Sequence, residues 1–149
     1  MTSILIACGG FLLAVLWMDL MFDVQVLRHR DSGELPEAVL ASIAGYYRRV
    51  TTEAWPMNRA IGLVMVVAVI SLLVQLFRPS TTGWVAVLSL LLCGAPVLLV
   101  PRIFRDAMRL GSRADSVAQQ SALARGICRG HLICLAGIVA FLALQLSAR

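Results

Sequence analysis

Residues 3–27 read SILIACGGFLLAVLWMDLMFDVQVL, an apolar run interrupted by Asp19, Asp23 and Gln25. Crossing about 30 Å of hydrocarbon takes about 20 helical residues at about 1.5 Å rise each. The run clears that length and predicts a transmembrane helix. It begins almost at Met1-Thr2-Ser3, without the basic n-region or small-residue cleavage site of a secretory signal, and reads as a retained first helix.

Outward from this run, the same ruler finds three more: Ala60 to Phe77, free of charge, Gly83 to Val100, and Gly126 to Leu146. Pro79, Ser80, Thr81, Thr82 and Gly83 predict a tight turn that folds the second and third spans into a hairpin. The expected fold class is an all-α integral membrane protein: one four-transmembrane-helix bundle over residues 1–149, with spans near 3–27, 60–77, 83–100 and 126–146. Bulk composition points the same way. Of 149 residues, 60% are hydrophobic and 14% charged, with a mean hydropathy of +0.87. One soluble core cannot hide that much apolar surface, so the bilayer is the expected solvent and partner.

The net charge of +5 comes from 13 arginines and no lysine. In so hydrophobic a chain this charge records topology, and no nucleic-acid partner is expected. An arginine-only bias also fits a GC-rich bacterial genome, and the expected location is a bacterial inner membrane. All the arginines but Arg78 and Arg149 fall in two connections. Arg28, Arg30, Arg48, Arg49 and Arg59 lie in the first; Arg102, Arg105, Arg109, Arg113, Arg125 and Arg129 lie in the third. Positive loops stay cytoplasmic, which predicts both termini outside.

Both loops carry helix signals that extend the bundle into the cytoplasm. Asp31 or Ser32 is expected to cap a helix with Pro36 and Glu37 in its first turn, running to about Glu53, where Trp55-Pro56 breaks it. Ser112 or Asp115 is expected to cap another that continues unbroken into the fourth span and approaches ~50 Å.

A carboxylate inside a membrane helix is costly and faces the bundle or a wet cavity. Asp19 and Asp23, spaced i, i+4, share one face of the first helix. They read as a proton-handling or cation-binding pair, or as ion-pair partners of a nearby arginine. His131 lies near the same depth in the fourth span, as a proton shuttle or as a hydrogen-bonded bundle histidine. Asp19, Asp23 and His131 are thus the catalytic candidates. Cys128 and Cys134 flank His131, but residues six apart on one helix lie ~9 Å apart along its axis, and no metal site is expected. The four cysteines include no C-x-x-C pair and read as small packing residues.

Tyr46, Tyr47, Arg48, Arg49, Glu53, Trp55, Asn58 and Arg59 crowd the entrance of the second span. They form either an aromatic belt with lipid-phosphate arginines or a mouth for an amphipathic molecule. In the second case Arg48, Trp55, Asn58, Arg59, Arg102 and Arg129 are the ligand-binding candidates, the arginines gripping an anionic or carbonyl group. Pro96 and Pro101 add a kink at the same depth. Ala122, Gly126, Gly130 and Cys134 make a small-residue stripe, for packing within the bundle or for a homodimer seam through Gly126 and Gly130, with Gly9-Gly10 as its docking partner.

The layout resembles two small four-helix bacterial membrane families, the anthrone-oxygenase-like group and the HemJ-type protoporphyrinogen oxidases. The likeness rests on Leu16-Trp17 through Asp23-Val24-Gln25, Pro101-Arg102 and Arg129-Gly130-His131. It implies binding or oxidation of flat lipophilic molecules, in some members with haem; the first half of the first helix has no histidine, and no cofactor is assigned. Two functions lead, ahead of a proton or cation transporter, for which four helices leave little room. One is binding or transforming a lipophilic small molecule in a polar pocket at the cytoplasmic half of the bundle, by oxidoreductase or proton-transfer chemistry if it is an enzyme. The other is a noncatalytic membrane subunit or assembly factor acting through helix–helix contacts.

Overall fold

The computed structural model describes residues 1–77 and 83–148, apart from the side chain of Ala95. Its helices are α1 (Thr2–Asp23), α2 (Glu37–Thr52), α3 (Trp55–Leu76), α4 (Gly83–Ser112) and α5 (Val117–Ser147), with no strand among the described residues. α1, α3, α4 and α5 are long and apolar enough to cross a bilayer. Side chains such as Trp17, Leu63, Leu91 and Leu98 point outward, Leu98 with 79% of its surface exposed. In water such faces would aggregate; in lipid they are ordinary solvent-facing surface. The chain is a four-helix, multi-pass membrane protein. The Pro79–Thr82 turn lies outside the described residues, as do Arg78 and Arg149.

Several boundaries differ from expectation, each for a local reason. α1 does not end at Leu27 as an α-helix; it tightens into a 3-10 helix over Val24–His29. Neither Asp31 nor Ser32 caps α2, which begins after Pro36 without a side-chain cap. Pro36 has no N–H and its φ suits a helix start, so the chain can turn into α2 there. α5 is capped by Ser116, not Ser112 or Asp115: the Ser116 hydroxyl accepts from the Gln119 backbone, and the Gln119 side chain accepts from the Ser116 backbone. Ser112 instead ends α4, and Asp115 pairs with Arg109 at 2.8 Å. α4 runs unbroken through Pro96 and Pro101. The 31 residues of α5 make it roughly 46 Å long.

α2 is the element that does not cross. Leu40, Ile43, Ala44 and Tyr47 recur at helical spacing and are buried, while Arg48, Arg49 and Thr52 stay exposed. The buried stripe joins the main apolar core with Leu16 and Leu20 of α1, Ile103, Ala107 and Leu110 of α4, and Ala124 and Ile127 of α5. α2 packs chiefly on α4, and α5 on α4 and α1.

The small-residue stripe divides. Gly130 faces α4, where an added Cβ would lie 2.8 Å from the Ile103 side chain, whereas Gly126 opens onto free space. Gly9 does not dock on that stripe; it meets Phe141 and Leu142 farther along α5. Gly111 marks the closest backbone approach of α4 to α2, with the Arg48 backbone nitrogen 2.9 Å from a built Cβ. Gly111→Ala is therefore expected to cost about 1–3 kcal/mol through overpacking. Gly126→Ala should be neutral or gain up to about 1 kcal/mol of helix propensity. Thermal melting of the two variants in detergent separates them; equal melting temperatures would mean that α2 does not lie against α4 in this way.

Candidate functional site

Asp19 and Asp23 sit one turn apart on α1 and face α2 and α5. Consecutive residues on a helix point about 100° apart, so Tyr46 and Tyr47 of α2 reach different targets. The Tyr46 hydroxyl donates to Asp19 Oδ1 at 2.6 Å, and the Tyr47 hydroxyl donates to Asp23 Oδ1 at 2.7 Å. Phe22 stacks on the Tyr46 ring at 4.1 Å, which holds the phenol in place. From α5, His131 Nδ1 donates to Asp23 Oδ2 at 2.6 Å. Its Nε2 stands 3.8 Å from Asp19 Oδ2, beyond hydrogen-bond reach.

The two carboxylates live in different surroundings. Asp23 is 0% exposed, with one oxygen bonded to Tyr47 and the other to His131. Asp19 keeps 16% of its side chain exposed, and Tyr46 bonds one of its oxygens. With Nδ1–H given to Asp23, the other ring nitrogen, Nε2, lies toward Asp19 without a hydrogen bond. The arginine ion pair, one of the two alternatives for the aspartates, is absent among the described residues, and phenols and an imidazole take its place. Burial pushes both tyrosines above their ordinary pKa, and the adjoining carboxylates push further: the bonded Asp19 for Tyr46, Asp23 for Tyr47. Both phenols therefore serve as hydrogen-bond donors throughout the neutral range.

Beside this cluster lies a cleft of about 570 Å³. α1, α2, α3, α4 and α5 all contribute walls, chiefly apolar ones such as Leu16, Val50, Met65, Val100 and Ile138. Asp19, Tyr46, Tyr47 and His131 form its polar end, and Asn58 and Thr51 also line it. Asn58 Nδ2 donates to the Val50 carbonyl at 3.0 Å, and Thr51 Oγ1 donates to the Tyr47 carbonyl at 2.7 Å.

Of the ligand-binding candidates, Asn58 alone lines the cleft. Arg48, Arg59, Arg102 and Arg129 are exposed and outside its walls, as is Trp55. Arg59 lies over the Trp55 ring at 4.4 Å, a cation–π contact, and Arg102 reaches Asp106 at 3.8 Å. Other arginines tie the connections together. Arg113 donates to Glu37 at 2.6 Å; Arg125 donates to the carbonyls of His29, Ser32 and Gly33. Cys128 and Cys134 are buried free thiols on either side of His131, and no group of three His, Cys, Asp or Glu is placed to hold a metal among the described residues. A second buried polar contact, Gln145 Nε2 donating to Ser89 Oγ at 2.8 Å, joins α5 to α4 farther along. Sequence reasoning assigned no role to that pair. A polar residue inside an apolar span is the one signal that could have found it.

The fold and this cluster together define a small polytopic membrane protein whose helices are clasped by buried polar groups. The chain belongs to the SHR3 chaperone family: the family model described as ER membrane protein SH3 matches residues 1–148. This corrects the resemblance to the anthrone-oxygenase-like and HemJ-type families, which rested on short pieces that any four-helix membrane bundle with a polar seam can share. No curated protein sequence and no solved structure matches the chain.

Tyr47→Phe leaves one oxygen of a fully buried carboxylate without its donor, and is expected to destabilise by about 1–3 kcal/mol. Tyr46→Phe should cost less, because Asp19 can still reach solvent in the cleft. Chemical or thermal unfolding in detergent checks the order, and the reverse order would contradict the burial difference between the two aspartates.

The two tyrosines of the chain are both in this cluster, so a near-ultraviolet phenolate titration reads it directly. Since the folded pKa values are raised, the native state keeps protons that the unfolded chain releases near pH 10.0. The stability they contribute is fully present below that pH and is lost as the pH rises beyond it. Native protein should show no phenolate band at pH 10, while urea-unfolded protein does; equal titration of both states would contradict the burial of these phenols.

Proposed function

We propose that this chain is a noncatalytic assembly factor for other membrane proteins, resident in the endoplasmic reticulum membrane. The observation that carries this reading is the family match over nearly the whole chain, to a family named for a chaperone and described as an ER membrane protein. It favours assembly through helix–helix contacts over enzymatic turnover of a lipophilic substrate, and the endoplasmic reticulum over a bacterial inner membrane.

Physical features support it. A membrane chaperone meets its clients within lipid, where association depends on packing and on interhelical hydrogen bonds. α3 offers a lipid-facing surface of Leu63, Val66 and Ile70, all more than half exposed. The arginine asymmetry supports placing the α2 side and the arginine-rich connections in the cytoplasm, with both termini on the opposite side, for a single four-helix domain. In this reading Asp23, Tyr47 and His131 act as an internal clasp that keeps the factor itself folded while its outer surface works.

A photo-reactive residue placed at Leu63, Val66 or Ile70 in cells should crosslink newly made polytopic membrane proteins, and loss of the chain should leave those same proteins retained or aggregated in the endoplasmic reticulum. Normal maturation of the membrane proteome in its absence, with crosslinks to lipid alone, would remove this reading.

A further inference from the structure

We infer that the cleft is a binding site for a small lipophilic amine, held at its polar end by Asp19 and His131. This goes beyond the assembly role and does not depend on it. The cleft's size suits a small molecule. A cleft of about 570 Å³ falls in the range of about 300–1,000 Å³ seen for small-molecule sites.

The polar end sets the chemistry. His131 is 7% exposed and lines the cleft, and its Nε2 has no hydrogen-bond partner among the described residues. Asp19 Oδ2, its nearest neighbour of opposite charge type, is 3.8 Å away. Asp19 Oδ1 is already bonded by Tyr46, and Nδ1 of His131 by Asp23. In the neutral tautomer that gives Nδ1–H to Asp23, Nε2 is an acceptor beside Asp19 Oδ2, and a single atom about 2.8 Å from each can bridge the 3.8 Å between them. Bridging two acceptors requires two hydrogens on one atom, which a protonated amine supplies.

Charge points the same way. One carboxylate, Asp19, lines this end with one imidazole, Asp23 is buried behind them, and no arginine lines the cleft. Thr51 gives its hydroxyl hydrogen, and Asn58 one of its two amide hydrogens, to backbone carbonyls, while the Tyr46 and Tyr47 hydroxyls are committed to the two aspartates. A carboxylate or phosphate ligand would meet Asp19 unshielded, whereas an ammonium supplies the charge the site lacks. The remaining walls are apolar and accept an alkyl or aromatic body. The sign of the ligand is therefore opposite to that expected from the arginine-rich loops.

Native mass spectrometry of the purified protein in a neutral detergent, with decylamine, decanol and decanoate, tests this. Decylamine should bind one per chain and about tenfold tighter than the other two, the range for a charge-assisted hydrogen bond. Asp19→Asn should erase that preference while decanol binding persists. Gly62→Phe, at a lining position where an added Cβ meets nothing within 4 Å, should weaken all three by filling the cleft. Decanoate binding as tightly as decylamine, or a preference that survives Asp19→Asn, overturns the assignment. Should Asp19→Asn fail to fold, unchanged decylamine binding in Gly62→Phe overturns it instead.

Discussion

A carboxylate withdrawn completely from solvent must find its hydrogen bonds within the protein, and Asp23 is such a group. Its two oxygens are met by a phenol from α2 and an imidazole from α5, while the carboxylate itself belongs to α1. Satisfying one side chain thereby positions three helices that are distant in the chain. Apolar packing inside a membrane discriminates weakly between one leucine-lined arrangement and another, since lipid is as apolar as the core. Hydrogen bonds to a buried carboxylate discriminate strongly, because every misaligned alternative leaves the group unsatisfied.

The same constraint explains why α2 folds back on the bundle. Residues 30–36, between the 3-10 helix and α2, lack regular helical pairing, and carbonyls at and beyond the end of the 3-10 helix need donors. Arg125 of α5 supplies them to His29, Ser32 and Gly33, and the Ser121 hydroxyl accepts from the Leu35 backbone at 2.9 Å. Arg113, held at a positive φ of 54° just past the end of α4, reaches Glu37 at the start of α2. Such exposed ion pairs contribute little individually. Their effect is to hold the amphipathic helix where Tyr46 and Tyr47 meet the aspartates.

Inner and outer surfaces consequently have separate roles. The polar groups are turned inward and fasten the bundle, and the outer faces of α3 and α4 remain plainly apolar, suited to lipid or to another protein's helices. Between them the cleft joins both worlds: its walls are apolar, and its end carries Asp19, the one of the two clustered aspartates that is not fully enclosed. Asp19 and Asp23 are the same residue type one turn apart. Burial and partners alone make one a clasp and leave the other with a free oxygen.

Much of the architecture was legible beforehand. Hydropathy and length were enough for four membrane-crossing helices, and the cost of a carboxylate in oil was enough to single out Asp19, Asp23 and His131, because these are properties of individual segments and side chains. Arginine content alone was misleading about the site: a basic loop can extend away from a cleft as readily as line it, and Arg48, Arg59, Arg102 and Arg129 extend away. That Tyr46 would serve Asp19 and Tyr47 would serve Asp23, that Gly130 would pack on Ile103, and that the polar end of the cleft would carry Asp19 and His131 and no arginine depended on the rotation and register of α2 and α5 against α1. Such registers are set by contacts across long sequence separations. Only the folded bundle decides them, because the linear pattern specifies which face of a helix is polar and not which neighbour it will meet.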